Sequence, residues 1–200
     1  MSTRLAIRAA AALAAILAPT AAWAHPGHDA TIGFAAGFVH PVSGIDHVLA
    51  MIAVGLFAAN LGGRALWAVP LSFVSVMAVG GALGVAGIAV PFVEAGIAIS
   101  VIVLGLAVAL RWKVPVAAAM ALVGLFALFH GHAHGTEMPV NAAGLEYGLG
   151  FVLATALLHG AGLSLGLGFA RFGQAFAPRA VQFGGVAMAA AGIGILTGVI

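Results

Sequence analysis

Cysteine is absent from this 200-residue chain, and charged residues make up only 6% of it. Without cysteine the chain can form neither a disulfide framework nor a thiolate metal site. Hydrophobic residues make up 64%, and apolar runs long enough to cross a bilayer, about 20 helical residues, recur from residue 31 to the end. The composition therefore predicts an all-α, polytopic membrane protein, with residues 25–200 as a single transmembrane domain.

The first 24 residues have the pattern of a cleavable signal peptide. Arg4 and Arg8 supply a positive start, a short apolar stretch follows, and a small-x-small cleavage site ends at Ala24. An uncleaved first membrane helix is the alternative. After cleavage His25 becomes the N-terminus, and five basic residues balance five acidic ones. This balance implies no nucleic-acid partner.

The 29 glycines include pairs four residues apart, a spacing that lets membrane helices approach each other closely. These pairs predict a compact helix bundle, although glycine is also simply common in membrane helices. The pairs are Gly80/Gly84, Gly144/Gly148, Gly162/Gly166 and Gly194/Gly198.

The five basic residues of the mature chain lie in three short breaks between apolar runs, Asn60–Arg64, Arg111–Lys113 and Arg171–Arg179. Because cytoplasmic loops carry an excess of lysine and arginine, these breaks are expected inside. Alternation from an outer N-terminus then predicts six transmembrane helices in a bacterial inner membrane, with both mature termini extracytoplasmic. The spans are expected near residues 42–61, 65–89, 92–110, 114–131, 142–169 and 180–200.

The first candidate site surrounds His40, on the extracytoplasmic side. Pro41 removes a backbone donor and disfavours helix at His40, so the first helix is predicted to break near His40-Pro41 and to restart near Ile45. Broken membrane helices free carbonyl groups for cations. Asp46 and His47 would then lie in the first turn of the new helix as ligands. Alternatively, Asp46 only complements the helix N-terminus and His40 lies at the interface.

The second candidate site is the segment Phe129–Glu137, FHGHAHGTE. In a helix, His130, His134 and Glu137 would share one face, where two imidazoles and a carboxylate can converge on one cation. Two glycines make a loop an equal alternative, and a merely histidine-rich outer loop is a third. The composition suits a borderline divalent ion such as nickel, cobalt, zinc or copper(II).

The other candidate residues are more isolated. His159 lies inside the fifth predicted span, as a hydrogen-bond partner of a neighbouring helix or as a ligand for an ion in transit. His25 and His28 either capture metal near the mature N-terminus or belong to a loose tail. Glu94 is expected at a solvated loop end.

Two motifs carry a resemblance to a known family. The spacing of His40 from Asp46-His47 resembles the HxxxxxDH motif of the HupE/UreJ family of nickel permeases, and Phe129–Glu137 resembles its FHGxxHGxE motif. The resemblance covers essentially the whole chain and implies secondary uptake of nickel for hydrogenase or urease, with their maturation proteins as partners. It assigns metal handling to His40, Asp46, His47, His130, His134 and Glu137, whereas His132 occupies a variable position of the second motif.

The expected activity is ATP-independent transport and not catalysis. The chain has no P-loop pattern and no sizeable soluble domain, and the metal ion would be its cargo, with no permanently bound cofactor. The alternatives are a membrane-embedded zinc hydrolase, a metal sensor or chaperone subunit, and a cobalt permease. Ligand types alone do not choose between nickel and cobalt. The choice of nickel rests on the resemblance.

Metal uptake is expected to fall as the pH drops from about 7.5 to about 5.5. Metals bind neutral imidazole, and the ordinary pKa of histidine is about 6.5, so protons compete with the metal in this range. The measurement is the initial rate of nickel uptake by reconstituted protein at fixed metal concentration. A flat rate across the range would count against histidine ligands.

Overall fold

A computed structural model describes residues 29–138, 144–171 and 177–199, which form seven α-helices and no strand. The all-α class is thereby confirmed for the described part of the chain. The signal peptide, His25 and His28 lie outside the described residues. The helices are α1 (Asp29–Ser43), α2 (Ile45–Leu61), α3 (Ala65–Val85), α4 (Val93–Ala109), α5 (Val116–Thr136), α6 (Gly144–Arg171) and α7 (Ala177–Leu196).

Each predicted span contains one helix, from α2 to α7, but not every helix has the length of a membrane span. Four helices, α3, α5, α6 and α7, are long and apolar enough to cross a bilayer, and α1 with α2 makes a fifth crossing if the pair is one broken span. With 17 residues, α4 is about 26 Å long at 1.5 Å per residue. A hydrocarbon core of about 30 Å exceeds that length. The count of six spans therefore stays a prediction.

Large apolar side chains cover the outside of the bundle as well as its centre. Leu145 is 78% exposed and Phe183 73% exposed, an arrangement suited to lipid contact. The centre is filled by fully buried side chains of α2 and α3, with Phe57 and Phe73 among the largest.

The first membrane segment is broken, as predicted, but the break lies at Gly44 and not at His40-Pro41. Helix α1 runs through Pro41 to Ser43, and α1 from Gly33 meets α2 at an angle of 81°. Gly44 has an extended backbone, and the hydroxyl of Ser43 donates to the carbonyl of His40 at 2.7 Å at the end of α1. The predicted restart near Ile45 agrees with the structure.

Helix α5 is longer than predicted, because it continues through Gly131 and Gly135 to Thr136. The expected end of that span at residue 131 was therefore too early, and residues 130–136 do not form a loop. Neither glycine breaks the helix, and both face α3 at very short range. A Cβ at Gly131 would overlap the backbone of Met77, and one at Gly135 would overlap Gly81.

Glycines on the facing side complete this contact between α3 and α5. A Cβ at Gly80 would collide with the backbone of Leu128, and one at Gly84 would lie 2.5 Å from the carbonyl oxygen of His132. The predicted role of the Gly80/Gly84 pair is thus confirmed. We call this contact the glycine seam, defined by Gly80, Gly84, Gly131 and Gly135.

The other predicted glycine pairs divide into two kinds. Gly162 and Gly166 pack closely against α2, the first against its backbone and the second against the side chain of Ala59. By contrast, no described atom lies within 4 Å of a Cβ built on Gly148, and Gly198 has a positive φ of 69° beyond the end of α7. The prediction that all four pairs pack closely was therefore wrong for Gly148 and Gly198.

Hydrogen bonds join the basic breaks at one end of the bundle. The side chain of Asn60 donates to the carbonyl of Trp112 at 3.0 Å, and Lys113 donates to the carbonyl of Asn60. Gln182 at the start of α7 donates to Ala109 at 3.1 Å. The first two basic breaks therefore share an end, which is opposite the histidine-rich segments.

The substitution Gly131→Ala is expected to lower the free energy of unfolding by about 1–3 kcal/mol, because the added methyl group meets backbone that cannot rotate away. Gly148→Ala is the matched control, since its added methyl group meets no described atom, and its effect should stay within about 0.5 kcal/mol. Thermal unfolding in detergent measures both. Equal melting temperatures for the two variants would contradict the glycine seam.

Candidate metal site

His40 near the end of α1 and Glu137 just after α5 meet across the bundle. Nε2 of His40 lies 3.0 Å from Oε2 of Glu137, and the two side chains are 32% and 58% exposed. A partly exposed imidazole and carboxylate can hold a cation that keeps some of its water. Each of the two candidate segments, which are far apart in sequence, thus contributes one residue to this contact.

His134 completes a group of three possible ligands with this pair. One ligand atom from each of His40, His134 and Glu137 lies within 4.8 Å of the others. Because a metal–imidazole bond is about 2 Å long, nitrogens that share an ion lie within about 4 Å of each other. Small side-chain rotations would therefore bring the three onto one ion. We call them the rim group.

His47 on α2 is buried, and its neighbour in sequence, Asp46, contacts both its backbone amide and its ring. Asp46 lies in the first turn of α2, where its Oδ1 accepts from the backbone amide of His47 at 2.8 Å and lies 3.0 Å from Nδ1 of the ring. Gly44 leaves room for this carboxylate, since a Cβ there would lie 2.7 Å from Oδ1. Asp46 therefore orients His47 and does not itself join the rim group.

His130 is fully buried and lies beside His47. Their ring centroids are 4.5 Å apart at an interplanar angle of 88°. Nε2 of His130 lies 2.8 Å from the hydroxyl of Ser100 on α4. We call His47 and His130 the inner pair.

The rim group and the inner pair are connected by His134. Its ring centroid lies 4.6 Å from that of His40 and 4.0 Å from that of His47. No described residue forms a hydrogen bond with either of its buried nitrogens. Since buried polar atoms without partners are costly, these nitrogens are candidates for coordination. His134 also borders a cavity of about 330 Å³ between α3, α5 and α6.

His159 lies deeper, in α6, and is only 1% exposed. Phe73 contacts both His130 and His159, with ring centroids 5.8 and 5.1 Å away. Within the described part of the chain, neither nitrogen of His159 has a hydrogen-bond partner. The nearby hydroxyl of Thr155 lies 3.8 Å from the sulfur of Met77.

His132 is directed elsewhere, although it is also buried. Its Nε2 lies 2.8 Å from the carbonyl oxygen of Ile88, beyond the end of α3. A carbonyl only accepts, so the ring donates this bond. His132 thus ties α5 to the connection between α3 and α4 and does not take part in the ring contacts of the other histidines. Glu94 is exposed in the first turn of α4.

The sequence did not point to three residues that shape the site. Ser100 and Phe73 lie within apolar helices, where a serine or phenylalanine is unremarkable, and only the fold brings them to His130. Phe151 contacts His134, with ring centroids 4.2 Å apart. No pattern in the sequence indicates these contacts, because each joins residues from different helices.

The comparisons with known proteins agree with the two motifs. The family model described as HupE / UreJ protein matches residues 13–195. Protein HupE from Rhizobium leguminosarum bv. viciae is 50% identical over 186 residues, which are 93% of this chain and 95% of that protein. The chain belongs to the HupE/UreJ family. No solved structure gives a significant match to it.

Membership of the HupE/UreJ family confirms the resemblance drawn from the sequence. It makes the chain a multi-pass membrane protein of a metal-permease family. The apolar helices of the described residues agree with this class.

His134→Ala is expected to weaken the binding of nickel(II), used as the probe, by at least about tenfold, because it removes the candidate ligand of the rim group that contacts the inner pair. His132→Ala is the matched control on the same helix. It removes a hydrogen bond and should lower stability by about 1 kcal/mol while leaving nickel affinity within about twofold. Calorimetric titration and thermal unfolding of both variants provide the test, and equal loss of affinity would contradict the site.

Proposed function

We propose that this HupE/UreJ protein is an ATP-independent permease that imports divalent nickel through the rim group and the inner pair. The observation that carries the proposal is the convergence of ligand atoms from His40, His134 and Glu137 within 4.8 Å. Nitrogen and carboxylate oxygen donors without sulfur suit a borderline divalent ion. Membership of a metal-permease family supports transport as the use of this site.

The proposed route runs from exposed ligands to buried ones. The ion first meets the partly exposed His40 and Glu137, then passes through His134 to His47 and His130. Ring separations of 4.0 to 4.6 Å let an ion exchange one imidazole for the next without ever lacking a protein ligand. The ion loses water on the way in, because His40 and Glu137 are partly exposed whereas His134, His47 and His130 are buried. Each site must still bind weakly enough to release the ion.

His159 is the proposed last histidine of this route. Its buried, unpartnered nitrogens support the role of a ligand over that of a helix-to-helix hydrogen bond, since no described residue accepts from it or donates to it. His25 and His28, outside the described residues, are proposed to capture the ion before it reaches the rim group.

The proposed orientation puts the histidine end outside. Arg64, Arg111 and Lys113 lie in the connections at the opposite end, and positive residues favour the cytoplasm. With a cleaved signal peptide over residues 1–24 and six spans, both mature termini face outward in a bacterial inner membrane. Imported nickel would then reach hydrogenase or urease maturation proteins inside the cell.

Transport of radiolabelled nickel into proteoliposomes tests this proposal. Wild-type protein is expected to carry nickel, and cobalt and zinc in excess serve as competitors that measure selectivity. His47→Ala and Glu137→Ala should each reduce the initial rate by at least about tenfold, because each removes a proposed ligand. Gly148→Ala, at an open position of α6, serves as the control and should carry nickel at the wild-type rate.

Three results would contradict the proposal. Undiminished nickel flux in both His47→Ala and Glu137→Ala would show that these residues are not ligands on the route. Stoichiometric zinc retained through purification, with no nickel flux, would favour the membrane-embedded hydrolase, whereas reversible nickel binding without flux would favour a sensor or chaperone subunit.

A further inference from the structure

Ser100 on α4 makes two short contacts in a fully buried position. Its Oγ lies 2.6 Å from the carbonyl oxygen of Ile97 and 2.8 Å from Nε2 of His130. Ser100 and His130 are both 0% exposed. Because neither side chain reaches the surface, the donor and the acceptor of each contact can be assigned among these atoms alone.

Only one assignment of donors and acceptors fits both contacts of Ser100. A carbonyl oxygen only accepts, so a separation of 2.6 Å from the hydroxyl oxygen requires the single hydroxyl hydrogen of Ser100 to lie between them. The hydroxyl then has only lone pairs left for His130, and Nε2 of the ring must carry the hydrogen. A neutral imidazole has one N–H group, so the lone pair of His130 is on Nδ1.

His47 is fixed in the opposite sense. Its Nδ1 faces the carboxylate of Asp46, which only accepts, so in the neutral ring the hydrogen is on Nδ1 and the lone pair on Nε2. The two nitrogens assigned lone pairs, Nε2 of His47 and Nδ1 of His130, are also buried and have no partner among the described residues. In its neutral form each ring of the inner pair thus has one nitrogen with a lone pair and without a partner among the described residues, as a metal ligand requires.

The geometry points to Ser100 as a positioning residue that fixes the tautomer of His130 and so presents Nδ1 to the transported ion, as Asp46 presents Nε2 of His47. This role rests on the proposed function of the inner pair. A serine in a membrane helix often bonds only to its own backbone three or four residues earlier. The second contact to His130, on another helix, is the observation that such a local role does not explain.

Nitrogen-15 NMR of histidine-labelled protein in detergent tests the tautomer directly. Protonated and unprotonated ring nitrogens have well-separated shifts, and the His130 signals are assigned by their loss in His130→Gln. Wild type is expected to show Nε2–H, whereas Ser100→Ala should show Nδ1–H or a mixture. Ser72→Ala is the matched control, because Ser72 also donates between helices, to Met120 at 3.0 Å, and should leave His130 unchanged.

Nickel uptake into proteoliposomes provides the functional reading. Ser100→Ala is expected to raise KM for nickel about tenfold, the usual order for losing a partner of a metal ligand. Ser72→Ala should keep the wild-type KM. Should Ser100→Ala fail to fold, Ser100→Thr and Ser100→Val replace it, since they share one shape and differ in the hydroxyl. The threonine variant should keep the Nε2–H form and the lower KM.

Each outcome decides one of the two proposals. An unchanged His130 tautomer in Ser100→Ala, or a lower melting temperature with wild-type tautomer and KM, would overturn the positioning role. A wild-type protein that carries no nickel would overturn the proposed function, while the NMR comparison would still decide whether Ser100 sets the tautomer.

Discussion

The close contact of α3 with α5 is the constraint on which the rest of the structure depends. Gly80 and Gly84 on one helix and Gly131 and Gly135 on the other let the two backbones touch, which any side chain would prevent. Membrane helices gain little from burying apolar surface against each other, so such packing supplies much of their association. The seam fixes α5 at the depth and rotation that bring His130 and His134 against α2.

The bend at Gly44 supplies the other half of the arrangement. It turns α1 by 81° relative to α2, and the ring of His134 contacts both His40 on α1 and His47 on α2. Burying several imidazoles is costly unless their nitrogens find partners. Asp46 and Ser100 satisfy one nitrogen each on His47 and His130, and the others remain for a cation. The contacts with Asp46 and Ser100 thus orient the two rings and leave the second nitrogen of each ring for a metal ion.

The sequence predicted the helical class, the restart near Ile45 and the two histidine segments, because these depend on composition and local spacing. It predicted the first break near His40-Pro41, because proline disfavours helix at the residue before it. In the structure the helix continues to Ser43, whose hydroxyl donates to the carbonyl of His40 near the helix end. Helical spacing put His134, and not His132, on the face of His130 and Glu137, but it could not predict that His132 contacts the carbonyl of Ile88. Ser100 and Phe73 were missed for the same reason: their partners come from other helices, and no local pattern records that contact.

The central claim is that the histidines of α1, α2 and α5 bind one class of ion at the end of the bundle opposite the basic connections. X-ray absorption at the nickel edge, on protein loaded with one equivalent of nickel, tests it most directly. The account predicts a first shell of nitrogen and oxygen only, with the outer-shell scattering of at least two imidazoles, and the loss of that scattering in a variant lacking both His47 and His134. A sulfur shell, or an oxygen shell without imidazole scattering, would contradict it.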